Sequence, residues 1–314
     1  MGDTCTTRNT DSTAAPGRIL IGTCSWTDPA LVSSGWYPRG RRDAEGRLRH
    51  YSEQFPVVEV DSTYYALPSE RNSRLWTERT PPGFLFDVKA FSLLTGHPTR
   101  ESTLPLDLRG RDGRDPGFLD EVGNRFRGAL QPLRRAGRLG AVLFQFPPWF
   151  SPGPRAETFL HRTRQRFSGW PMAVEFRHPD WWRDDRRNST AALLTDLEAT
   201  AVAVDMAQGL PVSIPPVTPV TSSGLAVVRL HGRSPAWGTG SKEDRFRHTY
   251  TVGELEEWCP RLSSLAARAA EVHVLFNNCC ADAAVRAAET LKRLTVASGG
   301  HGESVAARGI ACGP

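Results

Sequence analysis

The sequence predicts a single (β/α)8 barrel of the TIM type, and three observations predict it. Short runs of alternating apolar and polar residues recur eight times, helix-period segments separate most of them, and polar residues gather toward the end of each run. Alternation marks a strand, because successive side chains on a strand point to opposite faces. Strands alternating with helices imply a parallel sheet, and eight such strands close a barrel. An open doubly wound sheet would place a glycine-rich phosphate turn after its first strand, and Gly22-Thr-Cys-Ser-Trp26 is not one.

The first strand is expected over Ile19 to Trp26, followed by a Gly/Pro/Trp-rich loop and a helix from about Glu45 to Phe55, with Leu48, Tyr51 and Phe55 on one stripe. Val57 to Tyr65 alternates again, with Val58 and Val60 opposite Glu59, Asp61 and Thr63. A helix over Ser69 to Arg79 is stopped by Pro81-Pro82. The third strand, Phe84 to Phe91, sets Phe84, Phe86 and Val88 against Asp87 and Lys89. Ser92 to Gly117 is too long for an ordinary connection and is a candidate lid or a surface insertion. A helix over Phe118 to Ala136 leads to strand Ala141 to Pro147, with Gln145 near its end, and a helix over Ala156 to Phe167 leads to the fifth strand. That fifth stretch, Met172 to Trp182, places Glu175 and Arg177 opposite Val174 and Phe176. A helix over Ser189 to Ala199 precedes strand Ala201 to Met206, whose Asp205 opposes Val202 and Val204. The proline-rich segment Gln208 to Gly224 makes the connection between strands six and seven irregular. Leu225 to His231 carries Arg229 and His231 opposite Val228 and Leu230. Thr251 and Glu254 form a capping box for the next helix. Val272 to Asn278 and a helix over Asp282 to Leu294 complete the barrel domain, residues 18 to 296. Residues 1 to 17 are expected to be a disordered tail and 297 to 314 a flexible one.

Composition bounds the partners. The chain has 314 residues, 39% hydrophobic and 23% charged, enough for one sizeable core. No apolar run approaches the ~20 residues of a membrane-spanning helix, and the first residues show no signal-peptide pattern, so a cytoplasmic protein without a membrane partner is expected. The net charge of +5 and pI near 9.0 admit a polyanion, yet the basic residues form no dense stripe. Among 39 basic residues, lysine occurs only at Lys89, Lys242 and Lys292. The cysteines show no zinc-type spacing and read as reduced structural thiols; adjacent Cys279 and Cys280 are a less favoured redox pair.

In such a barrel the residues opposite the helix-facing Val and Phe point inward, and sites lie at the carboxyl ends of the strands. That rule selects Thr23, Ser25, Asp61, Thr63, Asp87, Lys89, Gln145, Glu175, Arg177, Asp205, Arg229, His231 and Asn277. Barrel interiors are ordinarily filled by Val, Ile and Leu, so this many polar groups must pair internally or bind something. Internal ion pairing, for example Glu175 with Arg177 or Arg229, explains any one of them. The whole ring favours a ligand site.

Cys-Ser-Trp at 24 to 26, Val-Glu-Val-Asp-Ser-Thr-Tyr-Tyr at 58 to 65, Leu-Phe-Gln-Phe-Pro-Pro at 143 to 148, Val-Glu-Phe-Arg-His-Pro at 174 to 179, Val-Arg-Leu-His-Gly-Arg at 228 to 233 and Phe-Asn-Asn at 276 to 278 occur in order. Together they resemble the YecE-like family, a domain of unknown function with a TIM-barrel fold. Thr-Gly-His at 95 to 97 departs from the family's pattern, as does Cys279-Cys280. The resemblance implies the architecture and a polar site but names no reaction.

Three function classes fit. A hydrolase or lyase acting on a phosphate- or carboxylate-bearing small molecule, or on nucleic acid, would use Glu175 and Asp205 with His231 or His178 as acid and base. Ser25, Trp26, Asp61, Thr63, Tyr64, Lys89, Gln145, Arg177, Arg229, Arg233, Asn277 and Asn278 would bind the substrate. A non-catalytic module for an anionic metabolite or nucleic acid needs the cations alone. A metal-dependent endonuclease or isomerase would draw ligands from Glu175, His178, Asp205 and His231, but a divalent metal is not favoured and no cofactor is predicted.

Overall fold

In the computed structural model, which describes residues 15–237, 240–278 and 280–299, every strand is parallel to its neighbours and pairs in chain order, the last with the first. The strands are β1 Arg18–Cys24, β2 Val57–Val60, β3 Leu85–Lys89, β4 Leu139–Phe146, β5 Met172–Phe176, β6 Ala199–Asp205, β7 Leu225–Leu230 and β8 Glu271–Phe276. The helices are α1 Pro29–Ser33, α2 Ala44–Gln54, α3 Glu70–Glu78, α4 Pro116–Arg135, α5 Pro154–Arg166, α6 Arg187–Asp196, α7 Lys242–Arg245, α8 Val252–Glu256, α9 Trp258–Ala266 and α10 Ala283–Gly299. This is the predicted (β/α)8 barrel, with no helix between β6 and β7 as its prolines require. The core lies between the strands' outer faces and the helices, where Val58, Phe86, Phe144 and Val174 meet Tyr51, Phe126 and Leu160.

Several boundaries differ from expectation for identifiable reasons. β2 ends at Val60, and Ser62–Tyr64 coils into a 3-10 turn, so Asp61 and Thr63 leave the alternation. The capping box at Thr251 and Glu254 is present, but the helix it starts is split at Glu257. Pro260 causes this, because it cannot donate to the Glu256 carbonyl and its ring crowds it. The Ser92 to Gly117 segment is tied down by short 3-10 turns and by buried Leu94, Leu104 and Leu108. α10 continues past Leu294 to Gly299. The tail expectations for residues 1 to 14 and 300 to 314, and the pairing suggested for Cys279, lie outside the described residues. Among the described residues no helix is long and apolar enough to cross a membrane.

Candidate functional site at the barrel mouth

Two strands carry the alternation in the opposite phase from the one expected. Thr23 turns outward, where its hydroxyl lies 2.9 Å from Tyr51 Oη on α2, and Cys24 takes the inward position. Asp205 also leaves the barrel: it accepts from Trp258 Nε1 at 3.2 Å and from Tyr250 Oη at 2.7 Å, and Arg233 pairs with it from outside. β6 is buried along its whole length, so both of its faces are apolar and the Ala/Val alternation does not reveal which faces inward.

The interior holds two ionic layers. In the lower one, His273 Nδ1 on β8 donates to Asp87 Oδ2 on β3 at 2.8 Å. Gly140 on β4 makes room, since a Cβ there would lie 2.4 Å from Asp87 Oδ1 and 2.8 Å from His273 Cε1. Burial alone would strip the His273 proton. The Asp87 carboxylate, helped by Glu271, instead holds its pKa up at about 9.

The upper layer centres on Arg229 from β7. Its Nε and Nη2 donate to the two oxygens of Glu59 on β2 at 2.8 and 2.7 Å, and its Nη1 donates to Glu175 Oε2 on β5 at 2.5 Å. Cys24 donates to Glu59 at 3.2 Å and accepts from Arg229 Nη2 at 3.6 Å. Glu175 Oε1 accepts from Gln145 Nε2 at 2.7 Å, His231 Nε2 at 3.0 Å and Arg177 Nη1 at 3.1 Å. Burial opposes ionisation of Glu175, but Arg229 and His231 hold its pKa well below the ordinary carboxylate range. His231 Nδ1 accepts from Asn277 Nδ2 at 2.9 Å. Burial pushes the His231 pKa down to about 3 against the pull of Glu175, so the ring is neutral with both nitrogens committed.

Glu175 and His231 are thus an orienting hub, buried and saturated with hydrogen bonds, and the acid and base roles expected of them do not fit. His178 turns to a local role, its Nδ1 accepting from the Asp180 N–H that opens the next turn. Asp205 and Arg233 form a separate cluster with Tyr250 and Glu257. Trp26 packs edge-on against Trp76 at 5.8 Å in the core, Ser25 bonds Thr27, and Asn278 donates to the His248 carbonyl at 2.9 Å. These six do not join the hub. Lys89, Gln145, Glu175, Arg177, Arg229, His231 and Asn277 do share one end of the barrel, and Thr63 fixes the adjoining rim by donating to the Lys89 carbonyl at 2.6 Å.

Above the hub the groups are less spent. Arg177 is 12% exposed in its side chain and lies 4.8 Å from the centre of the Trp237 ring. Lys89 Nζ sits 4.6 Å over the Tyr64 ring, and among the described residues no carboxylate comes within ion-pairing reach of it. Burial, then the neighbouring Arg229, lowers its pKa despite Glu59, Glu175 and Asp61. Burial and Glu59 raise the pKa of Asp61. An aromatic wall continues from Tyr64 through His97 to Trp149, with ring centres 5.2 and 5.8 Å apart; Trp149 is 62% exposed.

Glu59, His273, His97 and Trp149 join the site from outside the set expected from sequence. Glu59 and His273 each alternate against flanking valines, the same signal that selected the others. Among the described residues no three His, Cys, Asp or Glu side chains gather to hold a metal ion, and the four suggested ligands fall in three places.

The family model described as a protein of unknown function, DUF72, matches residues 20–307 of this chain. The chain belongs to the DUF72 family. DUF72 relatives include the UPF0759 protein YunF of Bacillus subtilis, 31% identical over 83% of this chain and 88% of that protein. UPF0759 protein YecE of Escherichia coli is 28% identical over 174 residues, about half of each chain. A DUF72 structure from Thermotoga maritima superposes with a TM-score of 0.73 at 28% identity, covering 88% of this chain and 98% of that one. One from Enterococcus faecalis gives 0.76 at 23%, covering 88% and 95%. The DUF72 likeness agrees with the barrel and leaves the chemistry to the site.

Proposed function

We propose that the mouth of the barrel binds a small molecule bearing a carboxylate or phosphate, and that the protein is a lyase or hydrolase acting on it. One contrast carries this reading. Arg229 is fully consumed by two buried carboxylates, whereas among the described residues Arg177 meets a carboxylate only through Nη1, at the already shared Glu175, and Lys89 has none within ion-pairing reach. A buried cation without an equal carboxylate is costly unless a ligand anion completes it. The exposed Trp149 and the edge of His97 supply an apolar face for the rest of such a molecule.

Nucleic acid fits less well. Backbone binding needs an exposed row of cations, and these two sit inside the barrel rim. Thermal unfolding with a panel of phosphates and carboxylates tests the reading. The parent protein should be stabilised by at least one class, by about 2–3 kcal/mol at a hundredfold excess over Kd. Arg177→Ala should lose that response while unfolding close to the parent temperature. An unchanged response in Arg177→Ala would place the anion elsewhere.

A further inference from the structure

We propose that Lys89 is the nucleophile of this site, its amine condensing with the carbonyl group of an anionic substrate, such as an oxo acid or a phosphorylated aldehyde or ketone, to form an imine. The inference rests on the anion-binding reading above and adds the reacting group to it.

The first support is a residue choice. This chain uses arginine for nearly all its basic positions, and of its three lysines Lys292 lies on the outer surface, donating to the Gln54 carbonyl. At the barrel mouth, where a guanidinium would serve equally to hold an anion, the chain keeps an amine. Arginine stays protonated under all ordinary conditions, while a lysine can give up its proton and attack a carbonyl carbon.

The second support is placement. Lys89 ends β3 at the carboxyl face of the barrel, only partly exposed, its amine over the Tyr64 ring and, among the described residues, without a carboxylate to clamp it. Burial, then the neighbouring Arg229, favours the neutral, attacking form against the pull of Glu59, Glu175 and Asp61. Arg177 lies across the mouth to hold the substrate's anionic group, and Asp61 is near enough to Lys89 that each perturbs the other's ionisation.

The step balances without a redox partner. The Nζ lone pair forms a bond to the carbonyl carbon while the C=O π pair moves to oxygen, which takes a proton. A second proton, the last on the nitrogen, passes to that oxygen, which leaves as water as the C=N bond forms. One amine and one carbonyl give one imine and one water, with solvent at the mouth carrying the protons from nitrogen to oxygen. Protonated once more by solvent, the imine becomes an iminium, whose nitrogen is the electron sink that a lyase needs for cleaving the neighbouring carbon–carbon bond.

The test is reductive trapping. The full chain is treated with sodium cyanoborohydride and, separately, pyruvate, glyoxylate, dihydroxyacetone phosphate or glyceraldehyde 3-phosphate, then measured by intact mass and peptide mapping. With at least one probe a single reduced adduct should form, found predominantly on Lys89 and not on Lys292. Lys89→Arg should abolish the adduct, and Lys292→Arg should keep it. Adducts spread evenly over the lysines would overturn the proposal. So would no adduct from a probe that stabilises the protein thermally, an outcome that leaves the anion site standing. No adduct and no thermal response to any probe would remove both readings. Mapping the unmodified sequence decides the matter even if Lys89→Arg fails to fold.

Discussion

The two ionic layers inside the barrel are built from the same kinds of residue and differ in what lies beyond them. In the lower layer Asp87 and His273 meet across a space that Gly140 leaves free, with Glu271 as the third partner. In the upper layer Glu59, Arg229 and Glu175 form an equally buried cluster, but Arg177 and Lys89 extend it toward the opening with incomplete pairing. A buried ion pair by itself is therefore no sign of function. The informative feature is the partly spent cation at the edge of a spent cluster.

Removing the centre of the upper layer should have the largest effect. Arg229→Ala leaves two buried carboxylates unpaired and should cost at least ~3–5 kcal/mol in urea unfolding. Near-parent stability in that variant would mean that Arg229 serves a ligand rather than the scaffold.

The layers should also fail at opposite ends of the pH range. His273 titrates at about 9 in the folded barrel against 6.5 for a free histidine. Its contribution is therefore complete below pH ~6.5 and is lost as pH rises through ~9, up to roughly 3 kcal/mol. Glu175, held below the ordinary range, contributes above the unfolded carboxylate pKa and loses that contribution as pH falls. His231, buried neutral, acts in the same direction, because the unfolded chain gains its proton first. Denaturation curves from pH 4 to 10 should show both limbs, and Asp87→Asn should flatten only the alkaline one.

Filling the lower space is a smaller perturbation. Gly140→Ala forces a methyl against Asp87 and His273 and should cost about 1–3 kcal/mol. Ligand-dependent stabilisation at the mouth should survive it. The smallest effect is expected from Lys89→Met, which removes a poorly paired cation and should shift stability by less than about 1 kcal/mol in either direction. A loss as large as that of Arg229→Ala would make Lys89 part of the scaffold.

How far the site could be read in advance followed from local geometry. Glu175 with Arg177, and Arg229 with His231, were legible because each pair sits on a strand with one plainly apolar face. Asp205 was misplaced because β6 is apolar on both faces, and Thr23 because Cys24, the inward residue, looks apolar itself. Asp61 and Thr63 fell outside the pattern once the chain coiled after Val60. The pairing of Arg229 with Glu59 was not legible, because Glu59 lies 170 residues away in sequence yet meets it bidentately. Alternation along a strand shows which way a side chain points, but not which distant strand faces it.

The sequence positions of the partners bear on how the barrel assembles. The acids Glu59 and Asp87 belong to the first strands made, and their bases Arg229 and His273 to the last two, 170 and 186 residues later. While the chain is being synthesised, the early strands carry carboxylates shaped for an interior that cannot yet neutralise them. Closing the ring and cancelling the charge are thus one event, completed only when β7 and β8 arrive. A fragment ending after β4 should remain unfolded alone and gain structure when the complementary fragment is supplied.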